Sequence, residues 1–263
     1  MSNTDKKENF FRFGIIAKGI VYTLIGGLTF AGAVNLIGGQ TTDQFAVIKF
    51  LQEQPFGRVI LVLLGVGLLG YCAWRLYTVL EEDSSEKKTL AKHLGYIGSG
   101  LFYGGLGLFS LVLAIKGGAS SDGGSSTILG DLLQKSWGQI AIGIGGVAFI
   151  GTGIYQFYKG WSEEFLDDLK SNAKSKMDNY SAYKTLGKVG YIARSPVYFI
   201  MAYFMLNAAL TSDADKIKGM SGVFEYLKEL SFGGVLVILL ALGLLAHGLF
   251  MFVKAKYHSF AKI

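Results

Sequence analysis

Six stretches of this chain are each long and apolar enough to cross a lipid bilayer, and nothing else in the sequence narrows the possible folds so far. They run over residues 13–37, 57–80, 94–115, 137–159, 189–210 and 232–254. About 20 helical residues are needed to traverse roughly 30 Å of hydrocarbon, and each run meets that length. Composition agrees where it matters. Only 17% of the 263 residues are charged and the mean hydropathy is +0.41, which leaves too little polar surface for an ordinary soluble enzyme. The apolar fraction of 51% is too high for a disordered chain, and two prolines are too few for a collagen-like one.

The first run follows Lys6 and Lys7 and contains Ala31-Gly32-Ala33, so a secretory signal is one reading. It exceeds the 7–15 apolar residues of a signal core, and its sequence recurs twice more. It is therefore expected to belong to the mature fold.

That recurrence organises the whole chain. Phe13-Gly14-Ile15-Ile16-Ala17-Lys18 matches Leu94-Gly95-Tyr96-Ile97-Gly98-Ser99 and Val189-Gly190-Tyr191-Ile192-Ala193-Arg194, and four positions on come Tyr22, Tyr103 and Tyr198. The second run of each pair opens with an aromatic residue and a glycine: Phe56-Gly57, Trp137-Gly138 and Phe232-Gly233. A short amphipathic segment precedes each opening, over 43–52, 127–134 and 222–229. One helical hairpin is thus written three times, with repeats at 10–80, 91–159 and 186–254. Two spans per repeat send all copies into the membrane in the same direction, unlike inverted transporter repeats. The expected fold class is an all-α membrane protein, a pseudo-threefold bundle of three tandem hairpins. The glycines of the third span, with Gly100 and Gly104 at close-packing spacing, place that helix at the centre.

Lysine and arginine set the orientation, because cytoplasmic loops carry their excess. The side holding both termini has 18 of the 25 basic residues and the other side 7. Both termini are expected in the cytoplasm, with the chain multi-pass in a bacterial inner membrane. This distribution also accounts for the basic pI of 9.2 without nucleic acid, which is not an expected partner. In the linker 160–185, Trp161, Phe165 and Leu169 fall at i, i+4, i+8 opposite four acids, the spacing of a helix lying on the cytoplasmic interface; a partner-binding helix is the rival reading.

Every aspartate and glutamate lies outside the spans, whereas bases lie within them. Lys18 and Arg194 share one repeat position, filled by Ser99 in the middle copy. The second helices supply Arg75, Gln156 and Met251 at one register, and Tyr71, Thr152 and His247 one turn earlier. All converge on one depth. One reading is that the bases snorkel to headgroups. The other is an inward-facing basic ring with Tyr22, Tyr103, Tyr198 and His247 beside it, taking an anionic headgroup or small anion.

Several chemistries find no residues. Cys72 is alone, so disulfides and thiolate metal clusters are out. Proton relays and cation pores built on intramembrane acids lack their carboxylates. No haem-binding histidine pair, zinc spacing, phosphate loop or dinucleotide fingerprint is present, so neither a cofactor nor a metal is expected, nor an enzyme.

The stretch Gly-Tyr-Ile-Ala-Arg…Val-Tyr at 190–198, its variants at 14–22 and 95–103, Phe-Gly-Arg at 56–58 and Tyr-Cys-Ala-Trp-Arg at 71–75 resemble the bacterial membrane family known as domain of unknown function 1206. The resemblance covers essentially the whole chain. It implies three two-helix repeats with a basic residue at the Lys18 and Arg194 position, from which Ser99 departs, and it implies no activity. Two functions fit. One is a non-enzymatic protein that organises the membrane, or binds lipids or partner proteins, through anionic phospholipid headgroups; the other is a transporter or channel for a small anionic or lipid-like solute.

Overall fold

The computed structural model describes residues 3–35, 42–81, 87–116, 133–169, 177 and 179–259. Among them regular structure is helical apart from one isolated bridge between Leu169 and His258. Six long helices correspond to the six apolar runs: α1 (Asn3–Ala33), α3 (Gly57–Glu81), α4 (Lys87–Lys116), α5 (Ser136–Trp161), α6 (Tyr180–Thr211) and α8 (Gly233–Tyr257). Each has the length and apolar character of a membrane span. Short helices α2 (Gln44–Gln52) and α7 (Met220–Lys228) lead into the second spans of repeats one and three. The third amphipathic segment, 127–134, lies almost wholly outside the described residues. The first helix of each repeat begins earlier than its apolar run, because polar residues continue the helix beyond the hydrocarbon.

The aromatic–glycine openings have a steric cause. A Cβ on Gly57 would collide with the Gln52 carbonyl oxygen, and one on Gly233 with the Leu227 carbonyl oxygen. Each long helix thus starts pressed against the end of the short one before it. Phe56 turns the corner with φ 61°, the left-handed region that side chains seldom occupy. Asp43 caps α2 by accepting from the Ala46 N–H at 2.8 Å, and Asn179 caps α6 by accepting from the Ala182 N–H at 3.0 Å.

Three extensive helix pairs join successive repeats: α3 with α4, α5 with α6, and α8 with α1. Glycines set these contacts. A Cβ on Gly107 would lie 2.9 Å from the Gly65 carbonyl oxygen, and one on Gly26 would strike the Leu245 backbone nitrogen. Such close approaches are how helices associate where lipid supplies no hydrophobic drive. Within repeats, α1 packs on α3 and α6 on α8, but α4 and α5 make no comparable interface. The helices therefore follow one another around a ring, α1–α3–α4–α5–α6–α8, with one seam unsealed among the described residues. This corrects the central placement of the third span. α4 stands at the edge of the opening, its glycines split between an α3-facing set (Gly100, Gly104, Gly107) and a set with open space beyond them (Gly95, Gly98, Gly105).

The linker also differs from the expected surface helix. α5 ends at Trp161, Glu163 adopts φ 61°, and only the short 3₁₀ turn Glu164–Leu166 follows. Phe165 is fully buried, stacked on Tyr191 and edge-on to Phe250, over a bed that Gly187 leaves clear. Burial of this ring outweighs the interfacial pattern. Of the same linker, 170–176 lie outside the described residues, and 180–185 form the first turns of α6.

Candidate functional site

The repeat register that aligned Lys18, Ser99 and Arg194 also aligns Tyr71, Thr152 and His247, each 53 positions further along. In repeats one and three these partners meet. Lys18 Nζ donates to the Tyr71 hydroxyl at 2.9 Å, and an Arg194 guanidinium nitrogen lies 3.1 Å from His247 Nε2. Because guanidinium only donates, His247 must accept at Nε2 and carry its proton on Nδ1, which is buried without a hydrogen-bond partner. The helices come close enough because Gly14 faces the Tyr71 backbone and Gly190 faces His247, where a Cβ would sit 2.7 Å from Cα. In the middle repeat nothing meets. A Cβ on Gly95 would meet no atom of the described residues within 4 Å beyond its own helix, Ser99 donates to the Tyr96 carbonyl of its own helix, and Thr152 donates to its own Ala148 carbonyl.

The other predicted residues gather around these two pairs, across the interior of the ring. Tyr103 of α4 donates to the Tyr22 hydroxyl of α1 at 2.9 Å, and Arg194 donates to Tyr198 at 2.7 Å. The Arg194 guanidinium lies 4.9 Å from the Tyr22 ring centre, and Lys18 Nζ lies 4.5 Å from that of Tyr103 and 4.6 Å from that of Tyr71. Arg75 donates to the same Tyr71 hydroxyl at 2.9 Å and lies over Trp74 and Tyr96. Lys18 and Arg194 are only 5% exposed and His247 is fully buried, so their heads turn inward and do not snorkel. Gln156 stands apart from this hydrogen-bonded set; it is buried, with Oε1 lacking a partner.

Tyrosine faces and hydroxyls solvate these cations, since the ring quadrupole attracts positive charge. They do not neutralise it. Among the described residues no carboxylate pairs with Lys18, Arg75 or Arg194; the ion pairs lie elsewhere. An unneutralised buried charge is expensive, and three basic side chains, two of them buried, are held together here.

A second set, unforeseen in the sequence, lies one turn nearer the end of the bundle that holds both termini. Lys159 of α5 and Lys254 of α8, each three residues after Gln156 and Met251, converge on Asp168 of the linker at 3.5 and 2.6 Å. Burial pushes the Asp168 carboxyl up, but the two ammonium groups outweigh it and hold it well below the usual carboxylate range. His258 packs edge-on to Trp74. Its burial, with help from the Lys254 charge, lowers its pKa to about 3. The Ser259 N–H donates to the Asp168 carbonyl at 2.9 Å, and Arg12 donates to the last carbonyls of α8 at Ala255, Lys256 and His258. Among the described residues, linker and tail thus meet across the end of the bundle that holds both termini. The sequence signal was the shared register of Lys159 and Lys254; nothing local pointed to Asp168.

Residues 13–80, 94–163 and 189–258 each match the model of the family described as Domain of Unknown Function (DUF1206). The chain is also similar to Uncharacterized protein YxxB of Bacillus subtilis (strain 168), 28% identical over 255 residues, covering 95% of this chain and 90% of that protein. No solved structure matches it.

Proposed function

Since the chain belongs to the DUF1206 family, whose membership brings a repeated membrane hairpin but no activity, we propose its function from the lumen: it binds an anionic group at the Lys18–Arg75–Arg194 cluster. One observation carries this reading. Lys18, Arg75 and Arg194 meet inside the helix bundle where, among the described residues, no carboxylate pairs with them. An incoming anion supplies the missing charge and acceptors, and charge-assisted hydrogen bonds in a low-dielectric site are the strong ones.

The cluster is a binding element and not a catalytic one. His247 has its Nε2 lone pair committed to Arg194, so it is not available there as a base toward a hydroxyl nucleophile. The setting is a bacterial inner membrane with both termini cytoplasmic, supported by the distribution of lysine and arginine. A cytoplasm-dependent reporter fused after Ile263 is expected to be active, and a periplasm-dependent one inactive.

Native mass spectrometry of the full chain in mild detergent tests the binding. The wild type is expected to retain a phosphorus-containing adduct that a Lys18→Ala/Arg194→Ala variant loses. Retention of the same adduct by the variant overturns the proposal. Phosphate flux in proteoliposomes, abolished by the same change, would identify the anion as transported cargo.

A further inference from the structure

We propose that an anionic phospholipid docks in the open seam between α4 and α5, its headgroup reaching inward to the cations while its chains stay in the bilayer. This rests on the anion-binding reading above and names the class of ligand and its route. Four observations carry it.

First, among the described residues access is lateral. The end that holds both termini is covered by Phe165, Asp168 and His258. At the other end α2 and α7 meet, with Ser221 donating to Asp43 at 3.1 Å. Around the ring every other neighbouring pair of long helices is packed. Second, the seam is lined in an amphipathic order. By helical register, with 100° per residue, the α4 side facing away from α3 carries Gly95, Ser99 and Phe102. The α5 side facing away from α6 carries Ile144, Ala148 and Tyr155. All six are exposed or half-exposed. Ser99 and Tyr155 lie at the level of the cations, whereas Phe102, Ile144 and Ala148 lie deeper, so a headgroup and its chains meet matching surfaces.

Third, charge complementarity selects an acidic headgroup, because among the described residues Arg75, Arg194 and Lys18 have no carboxylate to compensate them. Fourth, His247, which contacts Arg194, is fully buried and its Nδ1 lacks a partner. As an N–H it donates, and the oxygens of a phosphate headgroup accept.

The test reconstitutes the full chain in phosphatidylethanolamine vesicles containing phosphatidylglycerol with a photoactivatable acyl chain, and maps the labelled peptides. Labelling is expected to concentrate on α4 and α5. Gly95→Trp or Ala148→Trp, which fill the seam, should each cut it by about tenfold. Gly105→Trp, on the outward face of α4 with open space beside it, should leave it unchanged and shows that a bulky residue on this helix is tolerated. Lys18→Ala/Arg194→Ala should also remove the label. If the seam variants have no effect while the cation variant abolishes labelling, lateral docking is wrong and the anion reading stands. If the cation variant labels normally, the anion reading falls. Equal protection by inorganic phosphate at millimolar concentration would overturn the lipid as occupant.

Discussion

Repeats one and three close their hairpins with a cation on the first helix and an aromatic acceptor on the second, Lys18 with Tyr71 and Arg194 with His247. The middle repeat has Ser99 and Thr152 at the same register, and each hydroxyl bonds its own backbone. Sealing a hairpin of this kind takes both a glycine to admit the second helix and a partner to hold it. The middle repeat keeps the glycine, Gly95, and lacks the partner. An opening beside a charged lumen is the result.

The largest break in this comparison should come from the glycines. Gly14→Ala drives a methyl into the Tyr71 backbone and is expected to cost about 3 kcal/mol, at the top of the usual range for overpacking. Gly95→Ala meets open space and should be neutral or stabilising by up to about 1 kcal/mol through helix propensity. Thermal unfolding of both in one detergent compares them directly. Equal losses would mean that the middle seam is packed.

Removing charge from the two basic sets should have opposite consequences. Asp168→Asn leaves Lys159 and Lys254 uncompensated and should destabilise by about 2–3 kcal/mol, below the full cost for a buried pair because Asp168 keeps some exposure. Lys18→Met removes an uncompensated buried charge and is expected to leave the melting temperature unchanged or raise it. A lowered melting temperature in the lipid-free protein would show that the cluster is structural.

Acid should weaken the contacts of Asp168 and His258 at the terminal end of the bundle before those of the interior. His258 has a folded pKa of about 3, below its unfolded value of about 6.5. The unfolded chain therefore binds more protons between these values, and stability falls as pH drops through that window. Asp168 is depressed too, so its contribution is present above about pH 4 and is lost below it. Melting temperature measured from pH 7 to 4 should decline in the wild type and decline less in His258→Phe. A flat wild-type profile would contradict this assignment.

The smallest effect concerns the linker. Phe165→Leu should cost about 1–2 kcal/mol by leaving a gap between Tyr191 and Phe250, visible as a modest shift in unfolding midpoint.

Part of this arrangement was legible in the residues. Span positions followed from hydropathy, and the common depth of Lys18, Tyr71, Arg194 and His247 from the repeat register, whereas which of them meet is seen only in the structure. The unsealed seam was hidden because Gly95 looks like an ordinary repeat member and the departure at Ser99 shows a lost charge but not a lost contact; only the distance between helices shows the gap. Asp168 was hidden for another reason. Its partners come from helices at sequence separations of 9 and 86 residues, beyond any local pattern, and the same linker carries an amphipathic spacing that suggests a surface helix until Phe165 is seen in the core.

The central claim is that the lumen takes its missing negative charge from a ligand. Solid-state NMR of ¹⁵N-labelled protein in bilayers containing phosphatidylglycerol tests it most directly, through ¹⁵N–³¹P contacts. The account predicts a phosphorus contact to the Arg194 guanidinium and the Lys18 ammonium that persists when excess lipid is removed. Contacts confined to lysines at the membrane surface, with Arg194 and Lys18 silent, would contradict it.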